Sequence, residues 1–234
     1  MNNPDEIVYL VDDEASVRDA ITDLLENEQV TVLSFESAHK FLKHRRADAA
    51  GCLLLDLQLP EMSGLELQER LAPTSSLPIV FISGRGDVPS TVRAMKRGAI
   101  EFLTKPIDSD ALITSVRVAF ARDRERRRQE AELAEARYRL SMLSPREREA
   151  LPLIAAGFLN KHSAAMLGIT QVTLQIHRGH IMRKMRATCF ADLVRMCVTL
   201  GIPDNSLKSA SRHQRSDASI ASNSCELSRG LRNT

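Results

Sequence analysis

Ile7-Val8-Tyr9-Leu10-Val11-Asp12-Asp13, Leu53-Leu54-Leu55-Asp56 and Phe102-Leu103-Thr104-Lys105-Pro106 share one pattern, a largely apolar run that ends on charge. Short apolar runs set between helical patterns mark strands buried on both faces. In an open α/β sheet the carboxyl ends of such strands border the ligand crevice. Three acids and one lysine are therefore expected to meet there. That set suits a hard divalent cation and a phosphoryl group, with a carboxylate at hand as nucleophile.

Working outward, strands are expected at 7–11, 30–33, 52–55, 78–82 and 100–103. Helices are expected between them. One covers about 14–27, with Val17, Ile21, Leu24 and Leu25 on its inner face. A short one, capped by Ser37, carries Phe41 and Leu42. A third follows Pro60 and Gly64 and runs to Leu71, a fourth covers 88–97, and a fifth starts near Asp108. Five β/α units of this kind predict a doubly wound, flavodoxin-like parallel sheet with helices on both faces.

From Ala121 to Met142 there is neither Gly nor Pro, and Leu133, Ala136, Leu140 and Leu143 lie on one stripe. A long charged helical linker is expected at 123–143, its stripe available for pairing with a second copy and its Arg124–Arg128 run solvated. Ser144-Pro145-Arg146-Glu147 reads as a helix start, with Ser at the N-cap, Pro at N1 and Glu at N3. Asn160 is expected to cap the next helix, and Gly168-Ile169-Thr170 to turn the chain into a helix over 171–185, followed by one over 190–199. Two helices joined by a Gly-containing turn, the second one basic, predict a helix-turn-helix within 144–202. Beyond Pro203 the chain is rich in Ser, Asn and Arg, and a disordered tail is expected at 203–234.

Charge is divided along the chain. Residues 1–118 carry 12 Lys+Arg against 19 Asp+Glu, whereas residues 144–202 carry 8 against 3. Cation and phosphate chemistry is thus expected first and a polyanionic partner second. The four cysteines, Cys52, Cys189, Cys197 and Cys225, have no ligand spacing, which suits a reducing cytoplasm. Neither a signal peptide nor a membrane span is expected.

Residues 5–122 resemble the receiver domain of two-component response regulators. The resemblance rests on Asp12-Asp13-Glu14, on Asp56 with Pro60 and Gly64 after it, on Ser83-Gly84 and on Lys105-Pro106. The FixJ and StyR branch is resembled in Gly84-Arg85-Gly86-Asp87-Val88-Pro89 and in Arg93–Ala99. The resemblance implies a receiver over 1–122 in which Asp56 accepts a phosphoryl group from a sensor histidine kinase. It implies Mg2+ or Mn2+ held by Asp13, Asp56 and the Gln58 backbone carbonyl, with Asp12 acting through a water. Lys105 and Ser83 would bind the phosphoryl oxygens, Gly84 would leave room for the donor, and Lys105-Pro106 would be cis. Ser83 and Phe102 would form the switch pair, and the 88–118 face would bring two copies together on phosphorylation. A phosphatase of the haloacid dehalogenase type would carry a second acid two residues after the nucleophile. Asp56-Leu57-Gln58 has none, so a held signal is expected rather than turnover.

Residues 144–202 resemble the LuxR-type helix-turn-helix, on Leu143–Glu149, Ala155-Ala156-Gly157, Asn160-Lys161, Leu167–Thr170, Val172–Arg178 and Ile181–Met185. A DNA-binding transcription factor is implied, an activator working with RNA polymerase. Its helix over 171–185 would enter the major groove of promoter DNA. Gln171, Thr173, Gln175 and Arg178 are the expected base readers, and Lys161, His177, Arg183 and Lys184 the expected phosphate contacts. Gln175, His162 and Ser163 depart from the usual residues. Ser163 falls where an apolar residue is common, so a buried hydroxyl is expected. His177 and His180 share a helix, but no acid is expected near them.

Overall fold

The central strands form where β-branched and leucine-rich runs leave no polar face to solvate, and the edge strands keep exposed polar residues. In the computed structural model, which describes residues 6–45, 47–84 and 88–202, the strands are β1 (Glu6–Val11), β2 (Thr31–Phe35), β3 (Ala50–Asp56), β4 (Ile79–Ser83) and β5 (Glu101–Thr104). All pairings are parallel and the strand order is β2-β1-β3-β4-β5. The helices between them are α1 (Ala15–Asn27), α2 (Ala38–Lys43), α3 (Gly64–Leu71) and α4 (Val88–Lys96), and α5 (Ser109–Ser141) follows β5. One face of the sheet packs Tyr9, Leu53, Leu55 and Phe81 against α2, α3 and α4. The other packs Val8, Leu10, Leu54 and Ile82 against Ile21, Leu25, Leu112 and Val116 of α1 and α5. The doubly wound architecture expected from the sequence is present.

The chain divides into two units, Met1–Gln129 and Glu130–Thr234. The division falls inside the expected linker, and α5 runs unbroken through it for 33 residues. In the second unit α6 (Pro145–Ala155), α7 (Asn160–Leu167), α8 (Gln171–Met185) and α9 (Phe190–Thr199) surround a core of Leu151, Ile154, Leu174, Ile181, Met185 and Leu193. The Ser144 capping box forms as expected. The expected Asn160 cap does not: Leu159 holds that position, without a side-chain bond, and Asn160 is the first helical residue. The register is one residue earlier because the Leu159 carbonyl already accepts the Ser163 N–H at 3.0 Å. Part of the linker stripe is used within this unit, and Leu133 stays half-buried. Ala136 and Leu143 are buried, and Leu140 and Leu143 belong to the core of this unit. Arg139 holds the stripe in place by donating to the Met185 carbonyl at 3.2 Å.

Among the described residues no helix is long and apolar enough to cross a membrane. Cys52 and Cys197 are buried and Cys189 is exposed. The expected tail at 203–234, with Cys225, and Arg85-Gly86-Asp87 of the loop after β4 lie outside the described residues.

Candidate phosphoryl-transfer site and nucleic-acid interface

β1 delivers Asp12 and Asp13 to the carboxyl edge of the sheet, and β3 and β4 end there on Asp56 and Ser83. β5 stops one residue before Lys105, whose N–H donates to the Ser83 carbonyl at 2.8 Å. Carboxylate oxygens of Asp12, Asp13 and Asp56 lie within 4.8 Å of one another. Lys105 Nζ sits among them, 2.8 Å from Asp12 Oδ2 and 2.9 Å from Asp56 Oδ2. The Lys105-Pro106 bond is cis, as expected.

Asp12 is fully buried and Asp56 nearly so. Burial pushes the Asp12 carboxyl up against the opposing pull of Lys105 and of the Glu14 N–H, which it accepts at 2.9 Å. Burial also works against the Lys105 charge, but hydrogen bonds to Asp12, Asp56 and Glu14 outweigh it and raise the ammonium pKa. Asp13 is exposed. Three carboxylates of which two are buried, with one ammonium, leave a net negative pocket of hard oxygens. That donor set fits Mg2+ or Mn2+, which prefer oxygen ligands and keep several waters. Gln58 donates its N–H to Asp56 Oδ1 at 2.9 Å, which orients the carboxylate.

Two further features serve the same edge. A Cβ on Gly64 would collide with the Asp56 carbonyl oxygen, so the loop after β3 closes only over glycine. At Gly84 a Cβ would meet nothing nearer than Lys105 Cδ, at 3.9 Å, so glycine there is not imposed by packing. Ser83 is fully buried, and Phe102 lies half-buried on the neighbouring strand, stacked on Phe81 with centroids 6.3 Å apart.

In the second unit one face of α8 is open. Gln171, Val172, Gln175, Ile176, Gly179 and Arg183 are exposed, as is Lys161 on α7. Leu174, Ile181 and Met185 form the opposite, buried face. The other expected DNA contacts are held internally. Thr173 is half-buried and its hydroxyl meets that of the Thr170 cap at 2.8 Å. The Arg178 guanidinium lies over the Phe190 ring, 5.1 Å from its centroid. Lys184 Nζ donates to Glu147 at 2.7 Å. His177 is half-buried, its Nδ1 enclosed without a hydrogen-bond partner among the described residues.

Residues 8–117 match the family model of the response regulator receiver domain, and residues 141–197 match that of the bacterial regulatory proteins of the luxR family. The chain belongs to the response regulators of this receiver-plus-luxR type. The regulator is 44% identical over 200 residues to nodulation protein W of Bradyrhizobium diazoefficiens, covering 85% of this chain and 88% of that one. It is 39% identical to response regulator protein TmoT of Ectopseudomonas mendocina, covering 84% and 90%. Among solved structures it superposes on the response regulator StyR with a TM-score of 0.74 at 42% identity, over 82% of this chain and 98% of that one. Full-length FixJ from B. japonicum gives 0.51 at 34% identity, over 84% and 98%. The regulator is thus a DNA-binding transcription regulator with a receiver domain, of the kind phosphorylated by histidine kinases.

Three acids of the regulator have partners that the sequence did not indicate. Glu14 pairs with Lys105 at 3.0 Å. Asp123 is fully buried and accepts from Arg126 and Arg127, so these two are half-buried while Arg124, Glu125 and Arg128 of the same run are exposed as expected. Glu147 is buried and stands 3.3 Å from His180 Nδ1, so an acid does lie beside that histidine. A capping-box glutamate was readable at 147, but its partners 33 and 37 residues away were not. For Asp123 the i+3 and i+4 arginines were readable, but its burial and its bond to Gly51, 72 residues away, were not.

Proposed function

We propose that Asp56 is the phosphoacceptor of this regulator. The observation that carries the reading is Lys105 Nζ, placed between Asp12 and Asp56 at the mouth of a buried acidic pocket. An Asp56 carboxylate oxygen attacks the phosphorus carried on a kinase histidine. The nitrogen–phosphorus bond breaks and an acyl phosphate forms, leaving the histidine neutral once it has taken up a proton. Asp13, Asp56 and the Gln58 carbonyl would hold Mg2+, with Asp12 acting through a water. The ion, when bound, neutralises charge on the transferring group. Lys105 then exchanges a carboxylate partner for a phosphoryl oxygen, and the Ser83 hydroxyl donates to another. An apolar-sided groove of about 470 Å³ between Val17, Ile21 and Leu24 of α1 and Pro106-Ile107 borders Lys105.

Phosphorylation brings two copies together through the 88–118 face. Val88, Val92 and Met95 form an exposed apolar stripe on α4, and Val118 is exposed on α5. Ser83 and Phe102 would throw the switch, by packing, since Phe has no hydroxyl. Residues 1–122 are the receiver, 123–143 the linker and 144–202 the DNA-binding module. Gln171, Gln175, Arg183 and Lys161 are the DNA contacts that the exposed face of α8 and α7 supports best. Val172 and Ile176 on the same face suit thymine methyl groups. The phosphoryl group is held as a signal in the cytoplasm, without turnover, and the paired modules activate RNA polymerase at promoters.

The deciding experiment is incubation with acetyl phosphate and Mg2+, read by intact mass and light scattering. A phosphoryl mass increment with dimer formation is expected, and both should vanish in Asp56→Asn. An unmodified wild-type mass would favour a receiver that serves as a scaffold only.

A further inference from the structure

A guanidinium touches both acids of the β1 edge without being one of the groups assigned above. Arg18 stands on the first turn of α1, half-buried, and reaches back toward the sheet. Its Nη1 donates to the carbonyl oxygen of Asp12 at 2.8 Å and to that of Asp13 at 2.9 Å. Nη1 carries two hydrogens, so one nitrogen can serve both oxygens at once. Around these carbonyls the backbone leaves its regular pattern. Asp12 N–H still bonds across the sheet to the Phe35 carbonyl at 3.2 Å, while the Arg18 N–H already belongs to the helix, bonding Glu14 at 3.1 Å. Asp12 to Glu14 links strand and helix, with the Glu14 N–H on the Asp12 carboxylate, and Arg18 ties the carbonyls of Asp12 and Asp13.

We infer that Arg18 is a positioning residue for the phosphoryl-transfer site, one that pins the Asp12-Asp13 turn so that both carboxylates stand preformed beside Asp56. The inference rests on the reading of Asp12 and Asp13 as cation ligands. Fixing a ligand's backbone lowers the ordering cost of binding, and partners that orient ligands typically govern 10- to 100-fold of metal affinity. Lysine could not reproduce the contact in full, because its ammonium is a point donor on a flexible stem whereas the guanidinium is planar and its donors are set in fixed directions.

The test compares wild type, Arg18→Met and Arg18→Lys in the full chain. Mn2+ binding is titrated by electron paramagnetic resonance, and the rate of phosphorylation by acetyl phosphate is followed by intact mass across Mg2+ concentration. Arg18→Met is expected to raise both half-saturating metal concentrations about 10-fold while the rate at saturating Mg2+ falls less than about 3-fold. Arg18→Lys is expected to lie between the two. Half-saturation unchanged in a folded Arg18→Met would overturn the inference, as would Arg18→Lys indistinguishable from wild type or a loss confined to the saturated rate. If Arg18→Met does not fold, Arg18→Gln and Arg18→Lys decide by the same half-saturation. Wild type that binds no Mn2+ and takes no phosphoryl group would instead sink the assignment of the site itself.

Discussion

Asp123 accepts the backbone N–H of Gly51 at 3.0 Å, joining α5 to the first residues of β3 across 72 positions of sequence. The same carboxylate holds Arg126 at 2.7 Å and Arg127 at 3.0 Å, and Arg127 reaches on to Asp48 at 2.7 Å. A buried carboxylate is tolerated because each oxygen has donors. β3 thus carries Asp56 at one end and the anchor of the output helix at the other.

Replacing Asp123 by Ala should leave the Gly51 N–H buried without an acceptor. The arginines are about a third exposed and can return to water, which limits the loss. A destabilisation of about 3 kcal/mol is expected, read as a lower urea midpoint of the full chain. Faster amide exchange should be largest at Gly51 and within 119–129. Unchanged exchange in that segment would refute the anchoring role.

Ser163 is fully buried, and its hydroxyl has no hydrogen-bond partner among the described residues. Ser163→Ala removes the unsatisfied group at little cost in volume. It should stabilise the second unit by up to about 1 kcal/mol, seen as a higher thermal midpoint. A loss of stability would mean that the hydroxyl is satisfied in solution.

Glu147 links the start of α6 to α8 through Lys184. Burial opposes its charge, but Lys184 and the Ser144 donors prevail and hold the carboxyl at about 2, below its ordinary 4.5. A carboxyl depressed on folding contributes stability that is present above pH 4.5 and is lost as pH falls toward 2. Glu147→Gln should therefore flatten the dependence of the thermal midpoint on pH in that window, and lower the midpoint at pH 7. An equal slope in both proteins would contradict the assignment.

Gly64→Ala should press on the Asp56 carbonyl, with Leu57 Cα and Phe81 Cε1 each 3.1 Å from the added methyl. A cost of about 2 kcal/mol is expected. The Asp56 side chain should be displaced enough to slow phosphorylation by acetyl phosphate at least about 10-fold. A variant that phosphorylates at the wild-type rate would show that the loop can yield.

The sheet was legible because Ile7–Val11, Leu53–Leu55 and Ile79–Ile82 are uniform apolar runs, and burial on both faces is their only stable placement. The acidic site was legible for a related reason. Charges directly after buried strands have one edge to go to, so Asp12, Asp13, Asp56 and Lys105 could be brought together on paper. The stripe at Ala136, Leu140 and Leu143 was equally plain, but a stripe states only that something covers it. For Leu140 and Leu143 the covering surface is the core of their own helix-turn-helix unit.

What the chain determined by itself was therefore local and periodic: strands, caps, the Ser144 box, the glycine turn and the residues at the strand ends. Tertiary structure alone decided which charges are buried and which cations are spent. Asp123 and Glu147 look like any acid in an Arg-rich helix, and Arg178 and Lys184 like any exposed base. Their states follow from partners 12 to 72 residues distant, Phe190, Glu147 and Gly51. Pairing across that range is set by packing, and no local pattern encodes it. The same holds for Arg18, whose role appears only once the helix has turned its guanidinium back onto the Asp12 and Asp13 carbonyls.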